Sequence, residues 1–403
     1  MPSTQKKPLP FGEFIALLAL LMSLVALAID AVLPAMLQVG HALQVTDTNQ
    51  LQLMIGVVFL GLAIGQIFYG PLSDSVGRKP AIYLGLVVFF IGSAISVLAE
   101  SYEMMLWGRF IQGIGASGPK VIAVALVRDQ YEGRAMARVM SFVMAVFIVM
   151  PALAPSLGAG ILLFFGWREI FGFFMLHSAL ALFWFARRQP ETLVVEKRVP
   201  FSAKNIWAGT KTTLGNPISR AYIIAAGLVF GVFIAYLSTA QQLFLDIFQV
   251  DTLFPLYFAM LALAIGMASL INGRLVMKYG MQRMANFAMK VMMAFSVLFV
   301  GILLANQGQV PLWVFMLFTA IIFFCVGLLF GNMNALAMAP LGHIAGLASS
   351  VIGSATTFIS MFFGIIIGQT YNQTLYPLFL AFAGLALGAF LITRPVQVRD
   401  EVS

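Results

Sequence analysis

The sequence predicts an all-α integral membrane protein of twelve transmembrane helices arranged as two six-helix bundles. Three observations carry this. The 403-residue chain is 61% hydrophobic and only 9% charged. An average soluble domain is roughly 25% charged, and no water-soluble fold hides that much apolar surface. Apolar runs long enough to cross ~30 Å of hydrocarbon recur along the whole length. The longest polar stretch, Arg187–Arg220, falls at the middle and divides six runs from six.

Taken in order, the first six spans are expected at 12–37, 51–73, 80–99, 104–127, 138–163 and 167–187. The second six are expected at 220–243, 253–277, 284–305, 311–337, 344–369 and 374–393. These runs are apolar on every face and lack the ~10-residue alternation of transmembrane strands, so helices are the structure that satisfies their backbone. The first is too long for a cleavable signal peptide, and Asp30 interrupts its end. The domain expectation is therefore residues 1–187 as one bundle, 188–219 as a central loop and 220–403 as the second bundle. A short interfacial helix is expected near Trp207.

Orientation follows from the basic residues. Arg109, Lys120 and Lys290 fall inside spans, and Arg168 lies alone in the loops of one side. The other bases, from Lys6 and Lys7 through Arg78, Lys79, Arg128, Arg134, Arg188 and Arg283 to Arg399, all fall on the opposite side. Asp47, Glu100, Glu103, Asp246 and Asp251 mark the side of Arg168. Both termini are therefore expected in the cytoplasm. The net charge of +8 reflects this asymmetry, and no basic patch with interleaved aromatics points to nucleic acid. Cys325 is the only cysteine, so there is no disulfide framework. His41, His177 and His343 are scattered, without metal-ligand spacing. No nucleophile motif is present either. Neither an enzyme, a cofactor nor a metal is expected. No added dimerisation module is present, and a monomer in a lipid bilayer is expected.

The halves share weak internal symmetry. Gly70, Leu72 and Gly77 have counterparts Gly273, Leu275 and Gly280 at a constant offset of 203 residues. With six spans on each side, this supports two parallel repeats able to rock against each other.

The first of these loops, "GPLSDSVGRKP", resembles the signature of the major facilitator superfamily between spans 2 and 3, through Gly70, Leu72, Asp74, Gly77, Arg78 and Lys79. Gly70 permits close helix approach, Gly77 permits the turn, and Asp74 suits the positive end of another helix. The resemblance implies that this helix is span 11, starting near His343–Gly346. Arg78 has Asp74 and Asp129 as candidate partners, and the whole would latch the halves on the cytoplasmic side. The second copy has Met277 in place of the acid, so its latch is expected to be weaker.

The segment "LWGRFIQGIGASG" is similar to a span 4 signature of the superfamily linked with proton-coupled antiporters, through Arg109, Gln112, Gly113 and Gly115. "PALAPSLGAG" resembles the span 5 antiporter motif through Pro151, Pro155, Gly158 and Gly160, and a bend between the halves is expected there. "LVRDQY" and "GWRE" resemble the bicyclomycin/chloramphenicol-type drug exporters, which implies a bacterial inner membrane.

An intramembrane charge costs about 2.5–3.5 kcal/mol on insertion scales, so each needs a reason. Asp30 and Arg109 are expected at equal depth, as an ion pair or shared hydrogen-bond network that couples protons. The stripe Ala19, Ser23, Ala26 and Asp30 is small and polar at helical spacing, as a cavity-facing surface should be. Lys120 follows Arg109 by eleven residues, which keeps it on the same helix face. It either lines the cavity or snorkels to the surface, and Lys290 is expected to snorkel. Arg109, Lys120, Gln112, Tyr236, Gln241 and Asn332 are the candidate substrate contacts. Gly70, Asp74, Gly77, Arg78, Pro151, Pro155 and Gly158 are the candidate gating residues. The function expected is proton-coupled export of a small organic compound, with export of an anionic metabolite such as a carboxylate siderophore, and a non-transporting sensor, as the alternatives.

Overall fold

The structure, a computed structural model, describes residues 9–250 and 252–396, the side chains of 133, 134, 137, 141, 143–148 and 343 excepted. The expectations resting on Lys6, Lys7, Arg134, Asp251, His343 and Arg399 lie outside what it describes.

The described chain folds into fourteen α-helices, and twelve of them are the expected spans. α1 (Phe11–Asp30) is cut short by Pro34, four residues beyond Asp30. A proline ring clashes with the carbonyl four residues back and supplies no N–H to it. The chain therefore breaks after Asp30, makes one 3-10 turn over Leu33–Ala35 and resumes as α2 (Met36–Ala42). The expected span at 12–37 is thus one apolar segment, Phe11–Ala42, with a 3-10 turn inside it. α3 (Leu53–Val76) stops at Gly77, whose φ of 107° suits glycine. α4 (Arg78–Val97) starts immediately after, and α5 (Tyr102–Gln130) is capped by the Ser101 hydroxyl accepting from Met104 N–H.

α6 (Gly133–Leu162) begins five residues earlier than expected and runs unbroken through Pro151 and Pro155, so these prolines interrupt no helix. α7 (Arg168–Arg188) completes the first bundle. The helix expected near Trp207 is α8 (Ala203–Gly215), with Trp207 exposed. The second bundle comprises α9 (Pro217–Gln242), α10 (Phe254–Tyr279), α11 (Met281–Ala305), α12 (Leu312–Met338), α13 (Ala345–Gln369) and α14 (Tyr376–Thr393). α10 ends at Gly280 with φ 79°, repeating the Gly77 turn.

The bundles meet along two helix pairs, α3 with α13 and α6 with α10, while α8 rests on α13. Inside the first bundle α3 and α5 approach through small residues. A Cβ added at Gly61 would run into the Phe110 carbonyl, and one at Gly113 into the Val58 carbonyl. Membrane helices associate by such close packing because lipid offers no hydrophobic drive. Gly113→Val should therefore destabilise the protein by about 1–3 kcal/mol, whereas Gly273→Ala, where an added Cβ meets nothing within 4 Å, should be neutral. Thermal melting in detergent would register the difference, and equal melting of both variants would disprove it.

Candidate transport cavity and its gates

A cavity of about 210 Å³ lies between the bundles. Its wall is mainly apolar, and its rings are Phe59 from α3, Phe230 and Phe233 from α9, Phe258 from α10, and Phe323 and Phe330 from α12. Few polar groups reach it. Asp30 closes α1, Lys120 comes from α5, Tyr236 from α9, Ser269 from α10, and Thr356, Thr357 and Ser360 from α13, while the apolar Pro151 contributes from α6. The α1 residues facing the cavity are Val25, Ala26, Ile29 and Asp30. Ser23, expected on this stripe, turns instead to His177, 3.1 Å away.

The Oδ1 atom of Asp30 is buried and accepts no hydrogen bond. The same holds for the Tyr236 hydroxyl and Thr356 Oγ1. Tyr236 is within electrostatic reach of Asp30 and stacks its ring on Phe258 at 6.1 Å. Buried polar groups are normally hydrogen-bonded, and Asp30, Tyr236 and Thr356 each bring an unpartnered polar atom to this cavity.

Arg109 sits elsewhere, fully buried behind the wall. Its guanidinium donates to the Met54 carbonyl at 3.2 Å, to Gln112 Oε1 at 2.7 Å and to the Ala28 carbonyl at 2.5 Å, and lies 5.7 Å from the Phe171 ring. The expected Asp30–Arg109 ion pair is thus not formed. Arg109 of α5 instead binds the backbone carbonyl of Ala28, two residues before Asp30 on α1. Gln112 is spent on Arg109 and on the Ser93 hydroxyl at 2.9 Å. Gln241 donates to the Pro34 carbonyl at 2.9 Å, and Asn332 pairs with Asn272 across α10 and α12 at 2.8 and 3.3 Å. Arg109, Gln112, Gln241 and Asn332 therefore lie off the cavity wall, and Lys120 and Tyr236 lie on it. Lys290 is exposed, its Nζ 5.4 Å from the Phe390 ring.

One face of the molecule carries the central loop and most bases, and on this side a second cavity borders the first. Lys120 and Phe330 line both the cavity and a vestibule of about 540 Å³ that extends past Val124 and Arg128 on α5 and Asn334 and Met338 on α12. The opposite face is closed by hydrogen bonds between the bundles. Asn49 donates to the Tyr371 carbonyl at 2.9 Å, Gln369 to the Asn49 carbonyl at 2.7 Å, and Gln52 to Gln242 at 2.9 Å. Gln241 adds its bond to Pro34. Tyr371 also donates to Asp246 at 3.1 Å, and burial together with that carboxylate holds the phenol above its ordinary pKa. It remains a donor at neutral pH.

On the basic face the signature loop is a charged knot. Arg78 bonds Asp74, Asp129 at 2.9 Å and the Ser73 hydroxyl at 2.9 Å. The Asp74 carboxylate faces Gly346 in the first turn of α13. Gly70 packs on Ser350, Gln66 donates to Thr357 at 3.2 Å, and Ser354 donates to the Ala63 carbonyl at 2.6 Å, so α3 and α13 are zipped along their length. Gly158 abuts the Ala31 carbonyl at the α1 break, and Pro155 is buried. Glu191 was not legible as part of this knot. Its carboxylate caps α4, accepting from Arg78 N–H and Lys79 N–H at 2.9 Å each. Val199 N–H donates to the Asp74 carbonyl at 3.0 Å and Thr192 donates to Asp129 at 2.8 Å, so the central loop is strapped onto the signature loop. The second copy has none of this: Met277 is 83% exposed.

Hydrogen bonds to charged groups contribute about 1.5–3 kcal/mol each, and Arg109 makes three across α1, α3 and its own helix. Arg109→Met should therefore lower the melting temperature far more than Lys290→Met, whose side chain is exposed. Comparable melting of the two variants would show that the Arg109 network contributes no such stability.

Comparison with known proteins agrees with this architecture. Residues 18–368 match the family model described as Major Facilitator Superfamily. The chain is 30% identical over 376 residues to a bicyclomycin resistance protein homolog of Haemophilus influenzae, covering 91% of each. It is 31% identical to a chloramphenicol resistance protein of Pseudomonas aeruginosa over 86% of this chain and 80% of that one. Among solved structures, the xylose transporter XylE of E. coli, in a partially occluded inward open conformation, superposes with a TM-score of 0.73 at 14% identity, over 98% of this chain and 99% of that one. With the fold, the signature loop and these relatives in agreement, the chain belongs to the major facilitator superfamily and is a membrane transporter related to the bicyclomycin and chloramphenicol resistance proteins.

Proposed function

We propose that the chain is a proton-coupled antiporter that exports a small organic compound from the bacterial cytoplasm by alternating access, with its basic face and both termini on the cytoplasmic side. The observation that carries this is Asp30. Its carboxyl ends a broken helix in the wall of a cavity between two bundles, with one oxygen unpartnered. Such a group takes up a proton when burial makes its charge costly and gives it up when charge is stabilised. The drug-resistance relatives support an organic, drug-like cargo. In the conformation described, the cavity faces the cytoplasm: Asp30 releases its proton there and the cargo enters. Opening to the other side requires the Asn49, Gln52 and Gln241 bonds to part and the vestibule to close. Proton loading from outside then completes the cycle. Asp74 and Arg78 act in the closing stroke, through the first turn of α13.

Asp30→Asn should keep its fold and lose proton-driven export. In inside-out vesicles acidified within and loaded with a pH-sensitive dye, adding an exported drug should release protons with the wild type and not with this variant. Undiminished release would remove Asp30 from the mechanism. Asp74→Asn should favour the cytoplasm-open state, where ~1.4 kcal/mol changes the population ratio tenfold. With Asn334→Cys as a reporter in the vestibule, thiol labelling should speed up while export slows. Unaltered labelling and export together would reduce the signature loop to a topological signal.

A further inference from the structure

Lys120 is a charged cavity group to which the cycle above gives no role. It sits where the apolar cavity meets the vestibule and lines both. No carboxylate among the described residues lies within ion-pair distance of it. The two vestibule acids are already engaged, Asp74 and Asp129 by Arg78. A cation in so apolar a wall is costly unless it is paired, and the cavity holds the complementary problem at its far end, where Asp30 Oδ1 and the Tyr236 hydroxyl have no partner.

The two charges are well separated. Arg109 donates to the Ala28 carbonyl, which sets it level with the turn that ends at Asp30. Lys120 is eleven residues farther along α5, ~16 Å at 1.5 Å per residue. Side chains tilt toward the N-terminus of their helix, and the Arg109 and Lys120 stems do so alike, so the gap between the two charges stays at roughly 16 Å. The rings of Phe230, Phe233, Phe323 and Phe330 line the same cavity as the two charges.

We propose that the cargo is a long zwitterion with an aromatic body, its carboxylate on Lys120 and its ammonium on Asp30. The sign of coupling selects this over a simple anion. An anion on Lys120 would bind better with Asp30 protonated, and by linkage would carry the proton along with it. An ammonium on Asp30 competes with the proton, which is what exchange requires. The carboxylate on Lys120 then anchors the other end, and the rings hold the body. An α-amino acid is too short to reach both charges. The proposal rests on Asp30 being the proton carrier.

The test uses the purified full-length protein and four probes: 4′-(aminomethyl)biphenyl-4-carboxylic acid, its methyl ester, its N-acetyl derivative, and phenylalanine. Affinities come from calorimetry, proton release from weakly buffered titrations, and folding from melting curves. The wild type should bind the biphenyl zwitterion at least tenfold more tightly than the other three, releasing protons as it does so. Lys120→Met should lose at least tenfold for the zwitterion and leave the ester unchanged, and Lys120→Arg should restore the loss. Asp30→Asn should abolish proton release. Equal zwitterion affinity in wild type and a folded Lys120→Met, with proton release still dependent on Asp30, would overturn this inference and leave the antiport reading standing. Proton release that persists in Asp30→Asn would overturn both.

Discussion

An ionised side chain away from water must be met by a partner, and most of this structure can be read as the set of answers to that requirement. Arg109 is met by two backbone carbonyls and a glutamine, and those three bonds tie α5 to α1 and α3. Arg78 is met by Asp74, Asp129 and Ser73, and the knot so formed sets where α3 turns into α4. On the water-facing surface, Glu13 takes Arg188 in a two-pronged pair at 2.6 and 2.7 Å that joins the start of α1 to the end of α7. Each answer fixes a helix position. Asp30 and Lys120 are the charges that remain without an ion partner in the cavity wall, which is why the functional reading gathers on them.

The backbone obeys the same rule. In hydrocarbon every N–H and C=O needs a partner within the protein, so a break in a spanning helix is tolerated where it lines a cavity or is covered by neighbours. Pro34 makes such a break after Asp30, and Gly158 of α6 covers it by packing on the Ala31 carbonyl. Gln241 of the other bundle accounts for the Pro34 carbonyl. The break thereby joins three things: a titratable carboxyl, a helix of its own bundle and a bond across the closed gate. Parting the bundles on that face strips the Pro34 carbonyl of its partner, so opening of the gate is felt at the turn that carries Asp30.

The spans were legible because twenty apolar residues need no tertiary information to be placed in a bilayer, and Gly77 and Gly280 were legible as turns from their spacing. The central-loop helix was legible too, from Trp207 among polar residues. What a helix face points at was not. Arg109 and Lys120 lie within 20° of one face, yet one is enclosed by three helices and the other borders the cavity, because the bundle is tight at one depth and open at the next. Gln112, Gln241 and Asn332 read as cavity groups by polarity, and each proved to serve a neighbour: Arg109, Pro34 and Asn272. Glu191 gave no signal, since an acid in a charged loop is ordinary until the start of α4 is seen beneath it. The phenylalanines of the wall could not be told from lipid-facing ones, because periodicity does not distinguish two apolar surroundings.

The two repeats have also divided the labour. The charges of the cavity, Asp30 and Lys120, come from the first bundle, as does the knot around Arg78. Most of the ring wall comes from the second: Phe230, Phe233, Tyr236, Phe258, Phe323 and Phe330. The counterpart of Asp74 is Met277, exposed and without a polar role, and the counterpart of the tightly packed Gly70 is Gly273, which faces open space. One bundle thus presents fixed charge and the other a deformable apolar surface. If the bundles rock as proposed, the charges keep their geometry relative to one another while the rings slide past them. Recognition of charge and accommodation of shape then fall to different bundles, so that a change in the rings alters which bodies fit without disturbing Asp30 and Lys120.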